Sequence, residues 1–211
     1  MLAKLTPFGD SNKGKTSALR ALVYLLYKNA DSNYRVIIRG PRNIHICGYP
    51  IKIPISSIYC GADFRISLNV QYKGKSVRIC ICTAGDNKAE IFKNWDFLWN
   101  KGQFKNEDYI SPQIMVSPCN IASARKSEFD KQRAFVNMID LLYWFKLPLD
   151  NKIINMQNQS EIDDLVKDAD RYGVFSAHKN QNRLLNQQEK EAAMVAAKLI
   201  ENKIYQLIEL L

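Results

Sequence analysis

The eight residues from Gly9 to Thr16 (GDSNKGKT) have the types and the spacing that phosphate binding requires. Glycines at both ends let the backbone curl, so that successive N–H groups point at one anion. Lys15 would contact the β- and γ-phosphates of a nucleotide, and the Thr16 hydroxyl would coordinate Mg²⁺. A helix that starts near Gly14 would direct the positive end of its dipole at the same anion. The predicted phosphate-binding residues are Gly9, Asp10, Ser11, Asn12, Lys13, Gly14, Lys15, Thr16 and Ser17.

This octet matches the pattern G-x-x-x-x-G-K-[ST] and resembles the Walker A motif of the P-loop NTPases. The resemblance implies an α/β fold, a three-layer sandwich with helices on both faces of a mostly parallel sheet. The flanking sequence fits, since residues 2–8 can form a strand and residues 16–28 carry a helical apolar stripe. Pro7 has no N–H to donate within a central strand, so we expect the strand to end before Pro7 or to bulge there.

Asp86 is the second candidate site residue, in the turn that follows a strand predicted at residues 76–83. In P-loop folds, the strand adjacent to the phosphate-loop strand carries an acidic residue at its C-terminal end. The resemblance therefore implies that residues 76–83 lie beside residues 2–8, and that Asp86 binds Mg²⁺ through a water or orients an attacking group. Because three residues separate Asp86 from the apolar run, a plain turn at residues 83–86 is the alternative.

Arg125 completes the predicted catalytic set of Lys15, Asp86 and Arg125. It follows a short strand predicted at residues 112–117, on the sheet edge where phosphates would lie. An arginine in this place can reach a transferred phosphoryl group as an arginine finger supplied by the same chain. A solvated surface pair of Arg125 and Lys126 is the alternative.

The remaining pattern predicts the elements that position these side chains. Residues 63–72 alternate apolar and polar side chains, Lys73-Gly74 forms a tight connection, and residues 76–83 return as a strand that is apolar on both faces. This pair is typical of an antiparallel hairpin whose second strand lies deeper in the sheet. Other predicted elements are strands at 34–38 and 152–156, with the second in the core, and helices at 88–100, 129–145, 160–172 and 183–211.

Length and composition favour one domain over residues 1–211, with the helix at 183–211 packed on it. The chain has 211 residues, of which 46% are apolar and 24% charged, enough to bury a core. It lacks an apolar run of about eighteen residues and an N-terminal leader, so we expect a cytoplasmic protein without a membrane span. Five cysteines without zinc spacing favour buried thiols over metal ligands.

The net charge of +9 makes polyanions candidate partners, and nucleotides are the smallest of them. Lysines and arginines are spread along the chain without a long basic tract, which favours a basic solvated surface over a nucleic-acid interface. Nucleic acid is thus a possible partner but not the favoured one. The apolar end of the predicted helix 129–145 leaves a protein partner or a homo-oligomer open.

A narrower resemblance, to the Ras-like small GTPases, rests on the order of phosphate loop, helix, hairpin and Thr83-Ala84-Gly85. Cys82 replaces the aspartate of the D-T-A-G motif in that family. The guanine-reading N-K-x-D motif is absent, and residues 155–158 (NMQN) are the nearest match.

We therefore expect Mg²⁺-dependent binding of ATP, or of GTP, by an NTPase or phosphotransferase. One alternative is a nucleotide-gated binding subunit with little hydrolysis that engages a protein or nucleic acid. The other is a GTPase-like switch that lacks the guanine-reading motif.

Overall fold

A computed structural model describes residues 1–9, 14–28, 34–39, 63, 65–99, 113–120, 123–146, 153–155 and 186–211. Over these residues the chain is an α/β protein with a mixed sheet of mostly parallel strands and four α-helices. The strands are β1 (Ala3–Gly9), β2 (Tyr34–Arg39), β3 (Arg65–Tyr72), β4 (Lys75–Cys82), β5 (Ile114–Val116), β6 (Cys119–Asn120), β7 (Leu141–Lys146) and β8 (Ile153–Asn155). The helices are α1 (Lys15–Lys28), α2 (Lys88–Trp99), α3 (Ser123–Ala134) and α4 (Gln187–Leu210), and a 3₁₀ turn spans Val136–Met138.

The sheet has the strand order β2-β3-β4-β5-β1-β7-β8, and β6 pairs with the end of β1 beyond β5. Strands β4, β5, β1 and β7 pair in parallel, whereas β2 with β3, β3 with β4, and β7 with β8 pair antiparallel. Strand β1 therefore lies at the centre of the sheet, where its end is enclosed by strands on both sides.

Successive residues of the central strands alternate between two apolar clusters, as the period of two in a strand requires. Ala3 and Leu5 of β1 belong to a cluster that includes α1 and α4 residues such as Leu22 and Ile204. Phe8 belongs to a second cluster, with the α2 residues Ile91 and Trp95. A third cluster joins β4 and β5 to α2 through Cys80, Met115 and Leu98.

The hairpin of β3 and β4 confirms the sequence prediction. Tyr72 pairs with Lys75, and the two residues between them have positive φ angles, 46° at Lys73 and 79° at Gly74. Two positive φ values are what a two-residue hairpin turn of type I′ needs. Strand β4 is exposed at its first two residues and buried from Val77 onward, so it lies deeper than β3, as predicted.

The expected break at Pro7 is wrong, because β1 continues through Pro7 to Gly9. The Ala3 amide donates to Gln113 and the Ser117 amide donates to the Leu5 carbonyl, so the odd residues of β1 direct their backbone groups toward β5. The missing N–H of Pro7 therefore falls opposite residues 117–118, between β5 and β6, where the ladder is already interrupted. Proline removes no ladder bond at such a position.

The predicted helix at 129–145 is also wrong. Helix α3 ends at Ala134, and the apolar run that follows the 3₁₀ turn forms β7, which pairs with β1 over Ala3–Phe8. A short continuous apolar run fits a buried strand as well as a buried helix, so periodicity alone does not separate the two. Pairing beside β1 decides the outcome, since the open side of β1 needs a hydrogen-bonding partner.

At the C-terminal end, α4 agrees with the predicted helix at 183–211. A capping box fixes its start, in which the Asn186 side chain accepts from the Glu189 amide and the Glu189 side chain accepts from the Asn186 amide. The strand expected in the core at 152–156 is instead β8, which pairs only with β7 at the edge of the described sheet. The helix predicted at 160–172 lies outside the described residues.

Candidate functional site

The predicted phosphate-binding residues lie between the end of β1 and the start of α1. Gly9 is the last residue of β1, and Gly14 has a φ of 84°, a left-handed conformation that favours glycine. The Ala18 amide donates to the Gly14 carbonyl at 2.9 Å, which makes Gly14 the residue from which α1 begins. Ser17 is half-buried in the first turn. Residues 10–13, which include Asp10, Ser11, Asn12 and Lys13, lie outside the described residues.

The Lys15 ammonium group is directed toward Asp86. Lys15 Nζ lies 3.3 Å from Asp86 Oδ1. The lysine side chain is 5% exposed and the aspartate side chain is 50% exposed. The structure thus brings together two of the three predicted catalytic residues, with the cation on the inner side and the carboxylate on the solvent side.

The Thr16 hydroxyl contacts a carboxylate that the sequence analysis did not select. Thr16 Oγ1 lies 3.1 Å from Asp63 Oδ1 and 3.1 Å from the Thr83 carbonyl oxygen. The Thr83 hydroxyl also donates to Asp63 Oδ1, at 3.0 Å. Both partners of Thr16 Oγ1 are acceptors, so the hydroxyl donates its one proton and its oxygen lone pairs remain available to a cation.

The turn that carries Asp86 is fixed by the start of α2. The Asp86 amide donates to Glu90 Oε2 at 2.8 Å, and the Glu90 amide donates to Asn87 Oδ1 at 3.0 Å. Asn87 thereby caps α2. These two hydrogen bonds hold the backbone of the turn, and neither of them involves Lys15.

Gly85 lets this turn approach the chain that links β5 to β6. A Cβ atom at Gly85 would lie 2.2 Å from the Pro118 carbonyl oxygen, too close for any other residue without a backbone shift. The Gly85 carbonyl accepts from the Asn120 amide at 2.9 Å. The Asn94 side chain of α2 donates to the Ala84 carbonyl. Residues 84–85 are thus held by α2 and by the chain around Pro118 and Asn120.

Residues 76–83 were expected to adjoin the phosphate-loop strand, and this expectation is wrong. Strand β5 lies between β4 and β1, pairing with both in parallel. Asp86 still reaches Lys15, because the turn after β4 crosses the end of β5. There Gly85 packs against Pro118 and accepts a hydrogen bond from the Asn120 amide. The site is therefore built across three strand ends rather than two.

Arg125 lies in the first turn of α3. This helix follows β6, whose Asn120 pairs with Gly9 at the end of β1, so its backbone starts at the edge of the sheet where β1 ends. The Arg125 side chain is outside the described part of the chain, and its catalytic role remains a prediction. The neighbouring Lys126 is exposed.

A signal for Asp63 was present in the sequence. Because the hairpin turn at Lys73 and Gly74 fixes the register of β3 against β4, counting back from it sets Arg65 opposite Cys82 and Asp63 opposite the turn at residues 83–84. An acidic residue at the start of an antiparallel strand thus shares an edge with the ends of the parallel strands. Asp63 precedes its strand, whereas the predicted acidic residue Asp86 follows one.

Three cysteines confirm the prediction of buried thiols. Cys80, Cys82 and Cys119 are buried thiols that form no disulfide. Burial raises the pKa of the Cys82 thiol, and the neighbouring Cys80 adds to the increase. The Cys82 thiol therefore stays protonated, and all three side chains contribute apolar packing. Cys47 and Cys60 lie outside the described residues.

Comparisons of this chain with protein-family models, with curated proteins and with solved structures returned no match. In the portion of the chain that the structure describes, no helix combines the length and the apolar character needed to cross a membrane.

Proposed function

We propose that this chain binds a nucleoside triphosphate with Mg²⁺, ATP being the expected nucleotide, and hydrolyses it or transfers its terminal phosphoryl group. The observation that carries the proposal is the β1–α1 junction, where Gly14 has a left-handed backbone and Lys15 and Thr16 form the first turn of α1. The N–H groups of a first helical turn have no intrahelical partner and attract anions. Together with residues 9–16 of the sequence, this junction is suited to a triphosphate.

The finer fold assignment belongs to the same proposal. The apolar clusters join α1 and α4 to one set of alternating strand residues, and α2 and α3 to the other set. This distribution supports a three-layer sandwich of the P-loop type, with the hairpin of β3 and β4 and the short strand β8 as antiparallel additions.

Lys15 would exchange its partner when the nucleotide binds. Its ion pair with Asp86 joins a buried cation to a half-exposed carboxylate, and such a pair contributes little to stability in water. A triphosphate brings more negative charge than one carboxylate, so Lys15 Nζ would turn to the β- and γ-phosphates. Asp86 would then bind a water next to the γ-phosphate.

The oxygen atoms around Thr16 are suited to Mg²⁺, a hard cation that prefers oxygen ligands. Thr16 Oγ1 and the Asp63 carboxylate lie together, and Asp86 contacts the neighbouring Lys15. Among the residues whose placement is known, no three His, Cys, Asp or Glu side chains group into a metal site. The remaining ligands would be phosphate oxygens and waters, as Mg²⁺ usually requires. The ion would neutralise charge on the phosphates.

Calorimetric titration of the full chain with Mg²⁺-ATP, Mg²⁺-GTP and the two diphosphates tests this proposal. We expect Lys15→Ala to weaken triphosphate binding by about a hundredfold or more, because a charge-assisted contact to phosphate is lost. Lys93→Ala, which removes an exposed lysine from α2, is the matched control and should bind as the wild type does. Equal affinity of the wild type and Lys15→Ala would reject the phosphate loop. A preference for GTP would favour the GTPase-like switch, and a turnover assay then separates catalysis from binding.

One observation favours the gated binding subunit as a second candidate. On the surface of α2 and α3, Lys88 Nζ lies 5.5 Å and Lys131 Nζ lies 4.5 Å from the centre of the Phe92 ring. An aromatic ring next to two lysines offers a base a surface to stack on and offers its phosphates two cations. Binding of a single-stranded oligonucleotide that falls steeply with salt, and that Mg²⁺-ATP alters, would establish this function. Weak binding that salt leaves unchanged would exclude it.

A further inference from the structure

A buried polar network fills the space between β1 and the helices α2 and α3. Its centre is an ion pair in which Lys4 Nζ of β1 lies 3.0 Å from Glu128 Oε1 of α3, and both side chains are 0% exposed. Lys4 Nζ also donates to the hydroxyl groups of Thr6 at 3.0 Å and Ser117 at 2.8 Å. The three protons of the ammonium group therefore have three acceptors.

Glu128 is bonded at both carboxylate oxygens. Gln132 Nε2 donates to Glu128 Oε1 at 3.0 Å, and Trp95 Nε1 of α2 donates to Oε2 at 3.0 Å. Gln132 Nε2 also lies 3.0 Å from Thr6 Oγ1. A second connection between α3 and β1 thus lies beside the ion pair.

The strands in this network lead directly to the candidate site. Strand β1 runs from Lys4 to Gly9, where the phosphate loop begins. Ser117 precedes Pro118, whose carbonyl group lies against Gly85 in the turn before Asp86. A displacement of β1 or of the connection between β5 and β6 would therefore move one wall of the site.

The helices in the network lead to the same site. Trp95 belongs to α2, whose capping residue Asn87 follows Asp86. Glu128 and Gln132 belong to α3, whose first turn contains Arg125. One network therefore connects β1 and the β5–β6 connection to the helix that follows Asp86 and to the helix that contains Arg125.

Stability alone does not account for a charge pair in this position. Moving two charges out of water costs several kcal/mol per ion, and apolar residues of similar volume are often as stable or more so. Apolar contacts have no preferred direction, whereas each hydrogen bond restricts both the distance and the angle between its two partners. An apolar contact between β1 and α3 would allow small sliding movements that these bonds resist.

We propose that Lys4 and Glu128 are positioning residues that fix α2 and α3 relative to β1, so that the Asp86 turn and the start of α3 face the phosphate loop in one geometry. The part of this inference that concerns catalysis rests on the proposed function. The part that concerns the position of the helices is independent of it.

The test compares three variants of the full chain. Glu128→Gln and Lys4→Met each leave one charge buried without its partner, and we expect each to lower Tm by roughly 10 °C. The double variant Lys4→Met/Glu128→Gln contains neither charge, and its new Gln side chain still offers an acceptor to Trp95 Nε1. We expect its Tm to be higher than that of either single variant.

Two readouts separate positioning from stability in the double variant. We expect nucleotide affinity to stay within about threefold while kcat falls about tenfold to a hundredfold, since small misplacement of catalytic groups has this effect. Amide hydrogen exchange should become faster in α2 and α3, but not in α4, which the network does not touch. The control is Lys73→Met/Glu209→Gln, which removes an exposed ion pair at the hairpin tip and should leave both readouts unchanged.

A double variant with the kcat and the exchange pattern of the wild type would overturn the positioning role. Exchange that becomes faster in all helices alike would overturn it too, because this indicates a global loss of stability. If the wild type binds no nucleotide, the proposed function fails, and hydrogen exchange alone then decides the inference. Faster exchange confined to α2 and α3 would still support it.

Discussion

Lys4 of β1 and Lys15 of α1 use their charge in opposite ways. Lys4 is 0% exposed and so is its partner Glu128, whereas Lys15 is 5% exposed and its partner Asp86 is 50% exposed. In the Lys4–Glu128 pair, the ammonium protons and the carboxylate oxygens are bonded to protein groups. In the Lys15–Asp86 pair, water and solutes reach the carboxylate. Burial of the partner carboxylate, more than burial of the lysine, separates a charge that holds structure from one that can exchange its partner.

The same substitution at the two lysines should therefore have very different effects on stability. Lys4→Met leaves the Glu128 charge buried without a counter-ion, so we expect the free energy of unfolding to fall by about 3–5 kcal/mol. Lys15→Met leaves Asp86 in contact with water and should change it by less than about 1 kcal/mol. Urea denaturation of both variants measures the difference. Similar losses at the two positions would show that the pairs do not differ as described.

The two carboxylates near the phosphate loop provide the next test. We expect Asp86→Asn to lower turnover by about a hundredfold, near 2.7 kcal/mol in the activation free energy, with nucleotide affinity changed by less than about tenfold. Asp63→Asn should mainly reduce the apparent affinity for Mg²⁺, because Asp63 lies next to the Thr16 hydroxyl. Steady-state kinetics over a Mg²⁺ titration separates the two variants. An Asp86→Asn enzyme with wild-type turnover would reduce residues 83–86 to a plain turn.

Gly85 should have a smaller effect, on stability. In Gly85→Ala, the new methyl group would meet the Pro118 carbonyl oxygen, so backbone must shift and we expect a loss of about 1–3 kcal/mol. Gly74→Ala is a useful comparison, since Gly74 has open space around it and loses only its favourable positive φ. The two unfolding curves would distinguish a steric effect from a conformational one. No loss at Gly85 would mean that the Asp86 turn is free to move.

The smallest effect is expected for the exposed pair of Lys73 and Glu209. A hydrogen bond from Lys73 lowers the pKa of the Glu209 carboxyl below its ordinary value of 4.5. The pair therefore contributes stability above that ordinary pKa, and the contribution is lost as pH falls through the lower pKa of the folded state. Glu209→Gln should reduce the difference in Tm between pH 7 and pH 3 slightly, by less than any change above. An acid dependence identical to that of the wild type would show that the pair contributes nothing in solution.

The sequence predicted the parts of this fold that depend on local signals. The hairpin turn at Lys73-Gly74, the helix after Gly14 and the C-terminal helix depend on residues close together in the chain, and all three are present. The strand β7 and the order of the sheet depend on pairing between distant segments. Three-residue β5 carries almost no signal of its own, yet it separates β4 from β1.

The candidate site divides in the same way. Lys15 and Thr16 were found because they belong to one contiguous motif, and Asp86 was found at a strand end. Asp63 was missed because its place in the site follows from the register of β3, and its contact with Thr16 spans forty-seven positions. Side chains that meet through strand register need a sheet topology before they can be recognised.

The Lys4–Glu128 pair also restricts how this sequence can evolve. A change at either position alone passes through an intermediate with one unpaired buried charge, which is the costly state. Substitutions at the two positions are therefore expected to be strongly epistatic, because each is tolerated far better in the presence of the other. Trp95 and Ser117 extend this dependence to α2 and to the connection between β5 and β6, and Gln132 adds a second contact from α3. Variation in one structural element is thereby tied to the residues present in three others.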